Sequence, residues 1–165
     1  MKRVYLDTSA YLKEFSPETS SETISKLFSA CESSKVVLVT SQWTLSESIA
    51  AIDKKYRRGE LSLEERDLVI ATLLNKTMEL AKKGNLIIVP IKPQLVQASW
   101  RIILERHISA DDSVHIISAI VTLCEIFVAA DDYLIERAKE EGFESYDVED
   151  EADCIRLGGS VEFVI

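Results

Sequence analysis

Acidic residues stand at comparable places in separate segments of this sequence: Asp7, Glu47, Asp112 and Asp131. Asp7 and Asp131 each follow a short apolar run that is typical of a buried strand. Carboxylates brought together repel one another and raise one another's pKa, so a cluster of them stays ionised only around a cation. Hard divalent cations with oxygen ligands, Mg²⁺ or Mn²⁺, suit such a cluster, and a pair of them can promote phosphodiester hydrolysis. These acids therefore predict a divalent-metal site.

Each acid also has an ordinary structural explanation. Asp7 could cap a helix that begins at the next residue, and Glu47 could be favoured by the positive end of its helix dipole. In each of the pairs Asp111–Asp112 and Asp131–Asp132, one residue is expected to be only a helix cap. The metal site is indicated by all the positions together, and by none of them alone.

Short apolar strands alternate with helices along the chain. The predicted strands are 4–6, 36–39, 86–89, 126–128 and 144–148, and the predicted helices are 17–31, 44–58, 63–83, 93–106, 110–124 and 132–141. Strands that are apolar throughout and separated by helices predict an α/β fold, a three-layer α/β/α sandwich with a central parallel sheet of about five strands. Ligands bind such sheets beyond the carboxyl ends of the strands, where the strand order reverses. Asp7 and Asp131 are predicted to lie at that edge.

The composition fits a single domain in a reducing compartment. The chain has 165 residues, 47% of them hydrophobic, which suits one core. Its three cysteines are far apart and form no CxxC pair, which argues against a disulfide framework or a zinc site and favours the cytoplasm. The longest apolar stretch, 116–130, is interrupted by Glu125, and no signal-peptide stretch opens the sequence. We expect no membrane association.

The net charge of −9 is unfavourable for binding a nucleic acid, but its distribution weakens that objection. Residues 147–165 carry −5, which leaves −4 for the rest, about the charge of the acidic cluster. A basic run at 54–58, KKYRR, is either the solvated end of a helix or a contact for phosphates. Lys13 is predicted to be solvated.

Sequence segments around the four acids resemble the motifs of a known family. They are VYLDTSAYLKEF at 4–15, TSQWTLSESIAAI at 40–52, ISADDSVHIISAI at 108–120 and FVAADDYLIERAKEEGF at 127–143. They look like the four motifs of PIN domains, and most like those of the VapC-like toxin ribonucleases of prokaryotic toxin–antitoxin pairs. The resemblance selects Asp112 and Asp131 within their pairs. It departs at Ala129, where the family usually has Thr or Ser.

The resemblance implies a Mg²⁺- or Mn²⁺-dependent endoribonuclease whose catalytic and metal-binding residues are Asp7, Glu47, Asp112 and Asp131. It implies hydrolysis of RNA by a metal-activated water, with 5′-phosphate and 3′-hydroxyl products, an antitoxin protein as partner, and a homodimer. The nuclease domain would span 1–148, and 149–165 would be an acidic C-terminal extension that packs on it, adds an edge hairpin or mediates self-association. The alternative function is a PIN-fold protein-binding module with weak or no nuclease activity.

Other side chains allow two roles each. His115, in the predicted helix after Asp112, is either structural or catalytic. Thr8 and Ser9 either cap a helix or support the metal ligands indirectly. Trp43 and Trp100 are expected in the core or at an interface rather than as platforms for stacked bases. No glycine-rich turn follows the first strand, so the sequence does not favour a phosphate-binding loop or a dinucleotide fold.

Overall fold

The computed structural model describes residues 1–16 and 21–162. Its strands are β1 (Arg3–Leu6), β2 (Val37–Ser41), β3 (Leu86–Val89), β4 (Ile126–Ala129) and β5 (Glu144–Asp147). They form one sheet in the order β3-β2-β1-β4-β5, and every pairing in it is parallel. The predicted parallel sheet of about five strands is therefore confirmed. The chain runs outward from β1 to β3 and then returns to the other side of β1, so the strand order reverses between β1 and β4.

The helices are α1 (Thr8–Leu12), α2 (Ser21–Glu32), α3 (Gln42–Arg57), α4 (Leu63–Lys82), α5 (Pro93–Arg106), α6 (Ala110–Val121), α7 (Asp132–Glu140) and α8 (Glu151–Ser160). Because successive side chains of a strand point to opposite faces, β1 contributes to a core on each side of the sheet. Val4 and Leu6 pack in one core with Phe28 of α2 and Leu73 of α4. Tyr5 belongs to the other, which α5, α6 and α7 cover. This is the predicted three-layer sandwich.

The helix boundaries follow local hydrogen bonds. Helix α3 begins at Gln42, two residues before the predicted start, because Ser41 caps it reciprocally with Thr44. Helix α6 ends at Val121, three residues before the predicted end, since Leu123 adopts a left-handed backbone conformation with φ of 54°. The predicted start of the second helix at Pro17 lies outside the described residues.

The last segment of the chain forms a helix, and not the hairpin that the sequence left open. Asp150 caps α8 by accepting a hydrogen bond from the amide of Asp153 at 2.8 Å. Leu157 is fully buried and Val161 is 4% exposed, both within the same core as Val4. The end of the chain from Phe163 onward lies outside the described residues. The described part of the acidic extension packs against the domain through this apolar face.

The prediction that Lys13 is solvated was wrong. Its side chain is 4% exposed, and its ammonium lies 3.0 Å from Oε1 of Glu149, in the connection between β5 and α8. A buried ammonium needs a charged or polar partner, because leaving water costs several kcal/mol. Lys13 therefore links the first helix of the chain to its last segment.

Neither tryptophan lies in the core: Trp43 is 40% exposed and Trp100 55% exposed. The three cysteines are free, in agreement with the sequence. Within residues 1–16 and 21–162, no helix has the length and apolar character needed to cross a bilayer.

Candidate functional site

Asp7 lies at the carboxyl end of β1, at the point where the strand order reverses. Its amide donates to the carbonyl of Val128 at 3.1 Å, which extends the β1–β4 pairing by one residue and sets Ala129 beside it. Its carboxylate caps α1 by accepting from the amide of Ala10 at 2.8 Å. The residue is 6% exposed, and burial raises the pKa of its carboxyl group. Asp7 is thus a cap and a buried acid at the expected edge.

Ser9 holds the carboxylate of Asp7. Its hydroxyl lies 2.7 Å from Oδ1 and 2.8 Å from Oδ2 of Asp7, and it accepts a hydrogen bond from the amide of Ala130 at 2.8 Å. The sequence left open whether Ser9 caps a helix or supports an acidic residue. Its contacts are of the second kind, since the cap of α1 is Asp7. Ser9 thus connects Asp7 with the residue that follows β4.

Asp131 lies two residues after the end of β4 and caps α7, where its Oδ1 accepts from the amide of Leu134 at 2.8 Å. Asp112 lies in the first turn of α6, where the hydroxyl of Ser109 donates to its Oδ2 at 2.8 Å. Its neighbour Asp111 is exposed, whereas Asp112 is partly buried. Burial raises the pKa of Asp112, and the negative charges of Asp111 and Asp131 raise it further.

Glu47 lies in the second turn of α3, and its carboxylate contacts side chains of α1 and α6. Its Oε2 accepts a hydrogen bond from the hydroxyl of Thr8 and lies 3.0 Å from Nε2 of His115. Nδ1 of the same imidazole lies 3.0 Å from the hydroxyl of Tyr5. Burial acts to raise the pKa of Glu47, but the hydrogen bonds from His115 and Thr8 outweigh it and lower that pKa below its ordinary value.

The four acids thus face one edge of the sheet, yet each is held by its own hydrogen-bond partners. Among the described residues, no three acidic, histidine or cysteine side chains stand close enough together to hold a metal ion as they are. The chemistry of the donors does fit Mg²⁺ or Mn²⁺, since carboxylate oxygens are their preferred ligands. Burial raises the pKa of both Asp7 and Asp112, and the charges of Asp111 and Asp131 add to this effect at Asp112, so a cation beside either carboxylate would favour its ionised form.

Sequence reasoning did not find the contacts behind the acids. Tyr5 carried no signal, because a tyrosine within an apolar strand looks like any other core residue. The polar contacts of His115 were equally hidden, since its spacing from Asp112 indicates a shared helix face but not a partner on another helix. One signal could have pointed to Tyr5 and His115. Both place polar atoms at otherwise apolar positions, and polar atoms need hydrogen-bond partners when they are buried.

The comparisons with known proteins bear on the fold and on the family. The family model "PIN domain" matches residues 4–140. No curated protein matches the chain. A solved structure of PAE2754 from Pyrobaculum aerophilum is 15% identical and superposes with a TM-score of 0.63, covering 96% of each chain. VapC20 of Mycobacterium tuberculosis, a Sarcin-Ricin loop cleaving toxin, is 17% identical with a TM-score of 0.57, covering 85% of this chain and 95% of that one.

A third similar structure is VapBC2 from Rickettsia felis bound to a DNA fragment from their promoter. It is 14% identical with a TM-score of 0.60, over 88% of this chain and 99% of that one. At such identities these likenesses establish the fold, and the family model covers most of the sequence, including all four acids. The chain belongs to the PIN domain family.

Proposed function

We propose that this protein is a Mg²⁺- or Mn²⁺-dependent endoribonuclease whose catalytic and metal-binding residues are Asp7, Glu47, Asp112 and Asp131. The observation that carries the proposal is the negative charge beyond the carboxyl ends of the paired strands β1 and β4. Burial raises the pKa of Asp112, the charges of Asp111 and Asp131 raise it further, and Asp7 is buried at the end of the central strand. A divalent cation would remove this unfavourable electrostatic energy.

The carboxylates come from four different elements, so a cation held by them would tie β1, α3, α6 and the β4–α7 connection together. A bound Mg²⁺ or Mn²⁺ would activate a water and stabilise the leaving oxygen of a phosphodiester. The chain's own residues would set the geometry. Ser9 fixes Asp7, Ser109 fixes Asp112, and the amide of Leu134 fixes Asp131.

RNA is the substrate class that we propose, in single-stranded or looped form. The similarity to VapC20, a toxin that cleaves the Sarcin-Ricin loop, supports this class. The basic run at 54–58 is the candidate contact for the phosphate backbone at the rim. Part of its charge is already engaged, since Arg57 pairs with Asp53 at 3.0 Å and Lys55 donates to Ser16 at 2.7 Å. Lys54 of the same run is exposed.

We also propose that the protein is the toxin of a toxin–antitoxin pair. The similarity to VapBC2 and to FitAB, which was solved bound to an IR36 DNA fragment, supports a separate antitoxin protein as partner. Co-expression with the product of the neighbouring reading frame, followed by affinity purification of this chain, tests the pairing. A stable complex that abolishes RNA cleavage is the expected result. A neighbouring product that neither binds nor inhibits would contradict it.

A homodimer is supported by an apolar stripe on α5. Val96, Trp100 and Leu104 follow one another at four-residue spacing and are 38%, 55% and 74% exposed. Their spacing places them on one helix face, while Leu95 and Ile102 of the same helix are buried in the domain. An exposed apolar stripe of this kind suits a second copy of the chain. Sedimentation velocity should give a dimer that Trp100→Glu dissociates and Leu68→Glu, on α4, does not; a monomeric parent would contradict the proposal.

The direct test of activity is incubation with a structured RNA in Mn²⁺ or Mg²⁺, in EDTA, and with the Asp112→Asn variant. We expect cleavage only by the parent with metal, leaving 5′-phosphate and 3′-hydroxyl ends. Cleavage that persists in EDTA, or ends that carry 2′,3′-cyclic phosphates, would contradict the mechanism.

The alternative, a protein-binding module with weak or no nuclease activity, is favoured by one specific observation. Ala129 lies beside Asp7 and brings no hydroxyl to the site. Metal binding without cleavage of any RNA would support this alternative over the nuclease.

A further inference from the structure

A series of hydrogen-bonded polar groups extends from Glu47 into the core, on the side away from solvent. Tyr5 is fully buried and His115 is 3% exposed, whereas the side chain of Glu47 is 28% exposed. The hydroxyl of Tyr5 lies 3.0 Å from Nδ1 of His115, and Nε2 of His115 lies 3.0 Å from Oε2 of Glu47. This hydrogen-bonded series therefore starts at Tyr5 in the core of the domain and ends at Glu47, which is partly exposed.

The two contacts of His115, with Tyr5 and with Glu47, determine which of its ring nitrogens carries a proton. Glu47 is a carboxylate and can only accept, so Nε2 must donate to it. The hydroxyl of Tyr5 can then donate to Nδ1. Both ring nitrogens are thereby engaged, which leaves His115 no lone pair with which to bind a metal ion itself.

Packing against a neighbouring strand fixes the ring of Tyr5. Tyr5 stacks on Phe127 of β4, with ring centroids 5.3 Å apart and an angle of 15° between the planes. His115 lies one turn after Asp112 on α6, and Tyr5 lies two residues before Asp7 on β1. His115 and Tyr5 are therefore buried neighbours of the proposed metal ligands Asp112 and Asp7, respectively. Rigid neighbours of this kind limit the movement of the group that they hold.

The hydrogen bonds reach only one oxygen of Glu47. Thr8 and His115 both bind Oε2, and within the described part of the chain Oε1 receives no hydrogen bond. Turning the carboxylate out of this position would break two hydrogen bonds and leave Nε2 of the buried imidazole only the hydroxyl of Thr8, 3.4 Å away, as a partner, which is unfavourable. The carboxylate is therefore held in one orientation.

We infer that His115, itself oriented by Tyr5, is a positioning residue that fixes Glu47 with Oε2 turned inward and Oε1 presented to a divalent cation. This inference rests on the proposed metal-dependent function and adds to it the means by which one ligand is oriented before the cation arrives. His115 acts through Glu47 and does not touch the cation.

The first test is spectroscopic and is read on the parent protein. Imidazole ¹⁵N shifts of the metal-free parent protein, assigned with His115→Gln, should show a protonated Nε2 on His115. An unprotonated Nε2 would overturn the inference, because that nitrogen could not hold a carboxylate. This result does not depend on metal binding or on activity.

The second test is the affinity for Mn²⁺, measured by calorimetry. His115→Leu should lower it by about tenfold or more, as loss of a supporting hydrogen bond does at other metal sites. His115→Gln, whose amide nitrogen can replace Nε2 as a donor, should recover most of the loss. Tyr5→Phe, which removes a single oxygen, should bind between these limits and serves if His115→Leu does not fold.

The outcomes separate the inference from the proposed function. If the parent binds Mn²⁺ and His115→Leu and Tyr5→Phe bind it equally well, the inference is wrong while the proposed function stands. A parent protein that binds no Mn²⁺ would overturn the proposed function, and with it the inference.

Discussion

The hydroxyl of Ser9 lies within hydrogen-bonding distance of both carboxylate oxygens of Asp7, at 2.7 and 2.8 Å. The same hydroxyl accepts from the amide of Ala130 at 2.8 Å, so it joins the acid at the end of β1 to the residue after β4. The orientation of Asp7 therefore depends on a side chain two residues further along the chain, in the first turn of α1.

Ser9→Ala is expected to weaken Mn²⁺ binding by about tenfold, because Asp7 loses the hydroxyl that orients it. It should also lower the free energy of unfolding by about 1–3 kcal/mol, since the amide of Ala130 loses its acceptor. Calorimetry and urea denaturation measure the two effects. Ser46→Ala, at an exposed position of α3, is the matched control. Equal Mn²⁺ affinity in Ser9→Ala and the parent would show that this contact does not support the site.

Asp7→Asn should stabilise the metal-free protein at neutral pH. Burial raises the pKa of Asp7 in the folded state. Asp7 therefore stabilises the folded protein at a pH below the ordinary carboxyl pKa, and this stabilisation is lost as the pH rises through the pKa of Asp7 in the folded state. Asparagine removes the charge and still caps α1. We expect a higher melting temperature than the parent at pH ~7 and a difference that shrinks toward pH ~4.

Excess Mn²⁺ should reverse that order, because it would stabilise only the protein that binds it. Asp67→Asn, at an exposed position of α4, should leave the pH profile of the melting temperature unchanged. A variant Asp7→Asn that melts below the parent throughout this pH range, without metal, contradicts the assignment of Asp7 as an electrostatically unfavourable group.

The amine of Lys13 should be protected from chemical labelling. Acetylation of the folded protein with a lysine-reactive ester, followed by mass spectrometry, should modify Lys13 about tenfold or more slowly than Lys54, because a buried amine reacts only when the structure opens. The side chain of Lys13 is 4% exposed, and Lys54 is exposed. Glu149→Gln removes the charge at 3.0 Å from this amine and should speed its labelling. Equal rates for both lysines in the parent would show that Lys13 is solvated.

Leu157→Ala should destabilise the whole domain. Leu157 is fully buried in the core that includes Val4 and Leu73, and truncating a buried leucine costs about 2–5 kcal/mol. Ile155→Ala, on the same helix at a side chain that is 58% exposed, should change the free energy of unfolding by about 0.5 kcal/mol or less. Urea denaturation gives both values. Similar small effects for the two variants would mean that α8 is not part of the cooperative fold.

The fold could be predicted from the sequence because its signals are local and repeated. Apolar strands, helix caps and the glycines that end helices recur along the chain, and β3 and α5 have the predicted bounds. The end of α6 was missed because the left-handed conformation of Leu123 has no sequence signal at a leucine. The sequence left the extension open between packing, a hairpin and self-association. Its glycines at 158 and 159 disfavour a helix, and tertiary packing of Leu157 outweighs that preference.

From the sequence, the four acids of the candidate site could be proposed, but their contacts could not be predicted. The edge of the sheet that carries Asp7 and Asp131 follows from the fold, since both end parallel strands. The contact between His115 and Glu47 joins residues 68 positions apart on different helices, which no spacing rule predicts. Lys13 was misjudged for a similar reason: its partner Glu149 lies 136 positions away.

The most direct test of the central claim is the Mn²⁺ affinity of Asp112→Asn against that of Asp111→Asn, measured by calorimetry on the metal-free proteins. The two residues are neighbours in the first turn of α6 and the substitutions are identical, but only Asp112 is partly buried with its pKa raised by burial and by the charges of Asp111 and Asp131. We expect Asp112→Asn to bind Mn²⁺ at least about tenfold more weakly than the parent, a loss of about 1.4 kcal/mol or more. Asp111→Asn should bind it like the parent. Equal binding by all three proteins, or a loss confined to Asp111→Asn, would contradict the assignment of the metal site.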